Sequence, residues 1–327
     1  MQGGRWNGRR RKNRFRRFRW SRLALLTVSA ALIVFGLVKL IGYGTDLAAS
    51  RQTAVILREA YQEPAAEPPA ESSAPAPAVT ASSAPVPTAA PVPAVPAAAV
   101  PTLKPVQRLR SAAYPRNPAL QISSRFKALQ KENKDIAGWL TIDGLLDEAV
   151  VQRDEEYYMN HDALGRENVN GAIFLDSGIS LKTRPFTLIL YGHNMKTGAM
   201  FGCLRNYENT SFYHKNPFIT FDTKYEDGRY VIFSAGSIST ERYGRNYTDF
   251  FALTSNKVQE RRTAIDALKA ASVHTCTVDV QLEDQLLILV TCEDRDDMRR
   301  IVAARRIRDS EDEIGLKEQV ELSRKRN

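Results

Sequence analysis

The chain has 327 residues and a formal net charge of +9 at pH 7. Residues 1–22 contain ten of the 46 Lys and Arg residues and no acid, which leaves 36 basic against 37 acidic residues elsewhere. The rest of the chain is therefore near neutral. A basic arm alone is also typical of nucleic-acid binding, but the segment that follows it argues against that function, so we expect no nucleic-acid partner.

Residues 23–43 form an apolar run, LALLTVSAALIVFGLVKLIGY, with a single charge at Lys39. Its length matches the roughly 20 helical residues that cross the hydrocarbon core of a bilayer. The Arg-rich segment before it predicts a cytoplasmic arm at 1–22 and a single-pass anchor in the cell membrane, with the rest of the chain outside. A cleaved signal peptide is the alternative. Its apolar region is shorter, about 7–15 residues, but the small residues 48–50 leave cleavage open.

Residues 44–116 are predicted to be an extracytoplasmic linker rich in Pro and Ala. Its central part, 59–105, contains twelve of the sixteen prolines. Such a stretch favours extended polyproline-like conformations and spans roughly 100 Å or more at about 3.1 Å per residue. We expect it either to lift a folded domain away from the membrane or to act as a disordered tether of no tuned length.

Residues 117–308 are expected to form one domain that is mainly β with flanking helices, followed by a charged tail at 309–327 that is either frayed or helical. Helical spacing of apolar residues marks 119–134 and 255–271, and a short helix is predicted at 197–207. Short apolar runs predict eight or so strands of a barrel or sandwich. These runs cover 138–144, 149–152, 171–176, 186–193, 218–223, 229–239, 275–280, 285–292 and 300–307.

Three cysteines are present, an odd number that leaves at least one thiol without a partner in the same chain. No pair has a metal-binding spacing, so no structural zinc site is expected. Cys292 ends the apolar run at 285–292 and therefore lies at the rim of the predicted sheet. Cys203, in the predicted short helix, and Cys276, in the run 275–280, are better explained as core residues.

A nucleophilic thiol needs a neighbouring base or cation, because its ordinary pKa near 8.5 leaves only a few per cent of thiolate at pH 7. His193 ends its own predicted strand, and two adjacent strands would bring it to Cys292. His161 and His214 lie in polar contexts, and His274 has no assigned role. Arginines crowd the start of the run at 300–307, and spacing alone does not separate Arg299 from Arg300 as the cation of the site.

These residues resemble the sortase family, and its class B branch in particular, over roughly 118–308. LILVTC resembles the T-L-x-T-C signature, with Ile288 in place of its first Thr. The other similar blocks are YGHNMKTGAMFGCLRNY (191–207), RIVAARRI (300–307), IAGWLTIDG (136–144), VVQRDEEYYMNHD (150–162), NGAIFLD (170–176) and the helix at 255–271. The resemblance selects Arg300 over Arg299.

The resemblance implies an eight-stranded sortase-type β-barrel with N-terminal helices and a helix inserted before the cysteine strand. It implies a thiol protease-like transpeptidase that cleaves the LPxTG-like sorting signal of a protein between Thr and Gly. The acyl-enzyme forms on Cys292, and an amine from a cell-wall peptidoglycan precursor or a pilin then releases it. His193 is implied as the acid and base, and Arg300 as the residue that holds either the substrate backbone or the oxyanion. No metal or cofactor is implied. Substrate contacts are expected at Met159, Val290, Thr291 and Glu293.

Two alternatives stay open on the sequence. One is a non-enzymatic wall-binding or scaffold module on the same anchor, with Cys292 as inert as the other two thiols. The other is a simple cysteine peptidase that releases its acyl group to water, since hydrolysis and transfer differ only in the second nucleophile.

Overall fold

Eight β-strands close into a barrel in the order β1-β2-β3-β4-β7-β8-β6-β5. The computed structural model describes residues 10–62, 106–110, 113–154, 156–242, 244, 247–292 and 297–326. The strands are β1 Ile136–Ile142, β2 Leu146–Val151, β3 Ile173–Leu175, β4 Thr187–Tyr191, β5 Phe218–Thr223, β6 Arg229–Ser239, β7 Leu286–Cys292 and β8 Met298–Arg306. The predicted eight-stranded barrel is confirmed.

The strand β7 lies between β4 and β8 and is buried on both faces. It runs parallel to β4 and antiparallel to β8. The five residues from Leu286 to Val290 are each at most 1% exposed. A strand that is covered on both faces has a continuous apolar sequence rather than alternating apolar and polar residues. This explains why LLILV is apolar throughout.

Five α-helices surround the barrel within the described residues: α1 Arg10–Gln62, α2 Ser124–Glu132, α3 Thr210–Lys215, α4 Val258–Ala271 and α5 Glu313–Glu321. Helix α4 precedes β7 in the chain, as the predicted helix at 255–271 requires. Its fully buried Arg261 donates hydrogen bonds to Thr187 Oγ1 (2.9 Å), at the start of β4, and to the carbonyl of Asp284 (2.7 Å), just before β7. Its charged side chain therefore ties together the starts of two strands that are distant in sequence.

Helix α1 continues well past the apolar run and corrects the predicted linker. The part from Ala24 on is long and apolar enough to cross a membrane, by length and composition alone, and its apolar window is not buried within the protein. The helix ends only at Gln62, so residues 44–62 of the predicted linker are helical. Residues 44–62 contain no proline and a single glycine, Gly44 at their start, and the first proline of the segment is Pro64.

The last turns of α1 pack against the barrel as a component of the folded domain. Leu57 is 1% exposed in an apolar cluster with Phe126, Leu129 and Trp139. The ring of Tyr61 stacks on that of Trp139 with centroids 4.5 Å apart. The helix that carries the anchor candidate thus contacts the domain directly.

Two smaller predictions differ from the structure, and the charged tail takes the helical one of its two predicted forms in part. Residues 275–280 form no strand: Val278 packs into the core, and the amide of Thr275 bonds to the carbonyl of Arg324 instead of to a sheet. The predicted helix at 197–207 is a 3₁₀ helix, Phe201–Glu208. The tail contains α5, whose Leu316 and Val320 are buried, so this part of it is folded.

One carboxyl group in this region titrates near neutral pH. Glu148 on β2 lines a small cavity with Ser50 and Thr53 of α1. Burial raises its pKa to about 7 against a smaller opposing effect of Arg58. Because the folded state then holds a proton that the unfolded state releases above its ordinary pKa of about 4.5, folding stability falls as pH rises from about 4.5 to 7 and is level above that.

We therefore predict that Glu148→Gln removes a pH-dependent loss of stability. Relative to the wild type, the free energy of unfolding of the variant should increase by up to about 3 kcal/mol between pH 4.5 and pH 7.5. Denaturant unfolding at several pH values measures this difference, in which the other titrating groups cancel. Parallel pH curves for the two proteins would show that Glu148 is ionised at no cost in the fold.

Candidate active site

The ends of β4 and β7 lie side by side, which brings His193 and Cys292 to one edge of the barrel. The parallel register pairs Tyr191 with Val290, and the amide of Gly192 donates to the carbonyl of Val290 at 3.3 Å. His193 and Cys292 each follow this last pair by two residues. Both therefore lie two residues beyond the last pair of the ladder, at the same edge of the barrel, although 99 positions separate them in the sequence.

The neighbouring strand β8 brings two arginines to the same edge. Its register places Arg299 directly across from Cys292 and Arg300 across from Thr291. The strand starts at Met298, two residues earlier than predicted. Arg300 donates through Nη2 to Glu208 Oε1 at 2.8 Å, and Arg299 donates through Nη1 to the carbonyl of Met298 at 2.9 Å. Either cation is thus within one register position of the cysteine backbone.

The imidazole of His193 is held by the connection between β2 and β3. Its Nε2 lies 2.7 Å from the carbonyl oxygen of Met159. A carbonyl can only accept, so Nε2 carries the hydrogen of this bond. In the neutral ring Nδ1 is then the nitrogen that accepts a proton.

Gly171 allows this close approach. Its φ of +60° lies in the left-handed region, and a Cβ there would come within 2.6 Å of the carbonyl oxygen of Tyr158 and 3.1 Å of His193 Cδ2. Only glycine meets both demands without strain. The sequence offered no signal for this role beyond the glycine itself.

The residues predicted to contact substrate fall into three groups. Met159 is 43% exposed and lies beside His193. The side chains of Val290 and Thr291 are 1% and 2% exposed, and substrate contact there stays a prediction. Glu293 lies outside the described residues.

The other two thiols have the character of core residues. Cys203 is buried, and burial raises the pKa of its thiol to about 12. Cys276 is half-buried, and burial raises its pKa as well. Both are free thiols, and Cys276 lies in the irregular segment after α4 rather than in a strand.

The other three histidines are engaged elsewhere. His274 is buried with Nε2 against the carbonyl of Tyr207, His214 contacts Ser323, and His161 stacks on Tyr157. Among the described side chains, no group of His, Cys, Asp and Glu could hold a metal ion.

Similarity in sequence and structure to known proteins identifies the family of this chain. No family model matches the chain. Sortase B of Staphylococcus aureus (strain NCTC 8325 / PS 47) is 35% identical over 191 residues, which are 57% of this chain and 75% of that protein. A solved Staphylococcus aureus sortase B–substrate complex superposes with a TM-score of 0.51 at 33% identity and covers 58% of this chain and 88% of its own. A sortase B complexed with Gly3 gives 0.52 at 32% identity, with 58% and 89% covered. The chain belongs to the class B sortase family.

Proposed function

We propose that Cys292 is the nucleophile with which this sortase cleaves a protein sorting signal and transfers the protein to an amine. The observation that carries the proposal is the parallel pairing of β4 with β7, which brings His193 and Cys292, each two residues beyond the last pair, to one edge of the barrel. The rigid ends of adjacent strands suit a pair that must exchange a proton during acyl transfer.

The reaction proceeds in two balanced steps. The Cys292 thiolate attacks the Thr carbonyl of an LPxTG-like signal, and the bond to Gly breaks as His193 protonates the leaving amine. The product of this step is a thioester between Cys292 and the Thr carbonyl. An incoming amine then attacks the thioester and gives its proton to His193 as the Cys292 thiolate leaves, which restores the thiolate and the protonated imidazole of the first step.

The geometry of His193 supports its part in both steps. The bond to the Met159 carbonyl fixes the ring orientation and leaves Nδ1 as the proton-accepting nitrogen in the neutral ring. The same carbonyl stabilises the protonated ring, because both nitrogens of an imidazolium are donors. One fixed orientation therefore serves the acid and the base step.

Arg300 stabilises the negative charge that develops on the Thr carbonyl oxygen. A guanidinium offers a fixed fork of donors and stays charged at all relevant pH values. Its pairing with Glu208 at 2.8 Å holds the side chain at the rim of the barrel. Arg299 is the matched comparison, since it lies one residue away on the same strand.

The partners follow from the relatives and from the sequence. One sortase B has been solved with substrate and another with Gly3, and a glycine peptide offers a free amine. We infer a sorting-signal protein as donor and a cell-wall precursor or pilin amine as acceptor. Helix α1 would anchor the enzyme through residues 23–43 with its N-terminus in the cytoplasm.

The full chain in detergent micelles, with a panel of LPxTG-like peptides and triglycine, tests this function. We expect cleavage between Thr and Gly and a ligated product when triglycine is added. Cys292→Ala should abolish both, and Arg300→Ala should lower kcat/KM about 100-fold or more, which is the usual loss when one oxyanion donor is removed. Arg299→Ala should stay within about threefold of the wild type.

Three contrary results would each overturn a different part of the proposal. Cleavage by Cys292→Ala would overturn the mechanism. A large loss in Arg299→Ala with none in Arg300→Ala would move the cationic role to Arg299. A hydrolysis product that triglycine does not change would identify a peptidase.

Thiol reactivity gives a test that needs no substrate. With iodoacetamide at pH 7, Cys292 should be labelled at least about tenfold faster than Cys203 and Cys276, because burial keeps those two thiols protonated and inaccessible. Peptide mass spectrometry reads the three sites, and labelling in denaturant provides the control in which all three react alike. Equal, slow labelling in the folded protein would favour a non-enzymatic wall-binding module.

A further inference from the structure

Two hydroxyl side chains on α1 are buried against the connection between β2 and β3. Ser50 is 8% exposed and Thr53 is 4% exposed, although both are polar. The Ser50 hydroxyl has two acceptors within reach, the Asp46 carbonyl at 3.0 Å and Asn168 Oδ1 at 3.2 Å, and its oxygen accepts a bond from Asn170 Nδ2 at 3.1 Å. Apolar packing alone, as at Leu57 on the same helix, would dock α1 without these bonds.

Thr53 completes the coordination of a buried carboxylate in the same connection. Its hydroxyl donates to Asp162 Oδ2 at 2.7 Å, and Asp162 is 2% exposed. The other carboxylate oxygen accepts from the amides of Leu164 and Arg166, each at 3.0 Å. Asp162 thus closes the turn 162–166, and α1 supplies one of its hydrogen-bond donors.

Asn168 forms hydrogen bonds both to α1 and to the turn that leads toward His193. Its side-chain amide donates to the Asp46 carbonyl at 2.9 Å, and its Oδ1 accepts from the amide of Asn170 at 2.9 Å. Its own carbonyl accepts from the amide of Gly171 at 3.0 Å. These hydrogen bonds therefore connect α1 to the backbone turn at 168–171.

That turn leads directly to the imidazole. Gly171 packs against the carbonyls of Tyr158 and Met159 and against His193 Cδ2. The amide of Ala172 bonds to the carbonyl of Tyr158 at 2.9 Å, and Met159 holds His193 Nε2. Two hydrogen-bonded contacts, Ser50–Asn168 and Met159–His193, thus lie at the two ends of one short, tightly packed segment.

We propose that Ser50 and Thr53 are positioning residues for His193, so that the helix carrying the anchor candidate is part of the catalytic unit. They act through the segment 159–171 and touch neither substrate nor reacting atoms. The inference rests on the proposed function only for the catalytic role of His193. Loss of both hydroxyls should free the segment and let the imidazole leave its productive orientation, since displacements of about 1 Å can cost about 100-fold in rate.

The double variant Ser50→Ala/Thr53→Val in the full chain tests the inference. We expect kcat for the sorting peptide to fall at least about tenfold while KM stays within about twofold. The imidazole ¹⁵N resonances of His193, assigned with His193→Gln, should shift toward a mixture of tautomers. Ser50→Thr/Thr53→Ser, which restores both hydroxyls, should keep wild-type kcat.

Leu57→Ala is the matched control for general loosening of α1. It removes apolar packing from the same helix without touching the hydroxyl network, so it should lower the melting temperature while keeping kcat and the His193 resonances at a temperature where it is fully folded. Equal kcat losses in Leu57→Ala and the double variant would overturn the positioning role, as would wild-type kcat in the double variant.

The results that would overturn the proposed function differ from those that would overturn the positioning role. A wild-type chain without Cys292-dependent cleavage would remove the reaction but leave the resonance test in place. Unchanged His193 resonances in the double variant would then overturn the positioning role on their own.

Discussion

The parallel ladder between β4 and β7 is the constraint on which the rest of the molecule depends. It pairs five residues from Thr187 to Tyr191 with five from Leu286 to Val290. Parallel neighbours need a long crossover, and here the 3₁₀ helix, β5, β6 and α4 all lie between the two strands in sequence. The buried Arg261 holds the starts of both strands, so the ladder fixes the level at which both strands end.

The proposed chemistry depends on those strand ends. Acyl transfer by a thiol needs a base whose distance and orientation are fixed before substrate arrives. The barrel fixes the backbone of His193 through β4, and the connection between β2 and β3 fixes its ring through the Met159 carbonyl. Strand β8 adds a cation on the other side of Cys292. Three adjacent strands thus each supply one member of the proposed site.

Helix α1 joins the anchor candidate to the folded domain. A tether would leave the domain free to turn relative to the membrane, whereas a helix that continues from the apolar run into the domain core carries its direction with it. Tyr61, Leu57 and Thr53 pack on successive turns of this helix against different parts of the domain. The segment that holds His193 and the anchor candidate are therefore linked by contacts made from one continuous helix.

Strand positions and the two strand-end residues were predictable because their signals are local. The run LLILV is apolar because its strand is buried on both faces. His193 and Cys292 stand where such apolar runs stop. The choice between Arg299 and Arg300 depended on family resemblance, because a one-residue change of register exchanges them.

Other features could not be predicted because their causes are tertiary. The helical end of α1 at Gln62 was missed because the Pro-rich composition begins almost at once after it. The alternation of Cys276, Val278 and Val280 imitates a strand, although it arises from packing an extended segment on the core. Ser50 and Thr53 look like ordinary polar helix residues until the connection that covers them is known.

The most direct test of the central claim is the mass of the enzyme caught between the two steps. The full chain, mixed with a cleavable sorting peptide without an amine acceptor and quenched in acid, should gain the mass of the peptide fragment that ends in Thr. Fragmentation should place this acyl group on Cys292, and the adduct should disappear when triglycine is added before the quench. Peptide cleavage with no adduct at any time, or an adduct on Cys203 or Cys276 instead, would contradict the account.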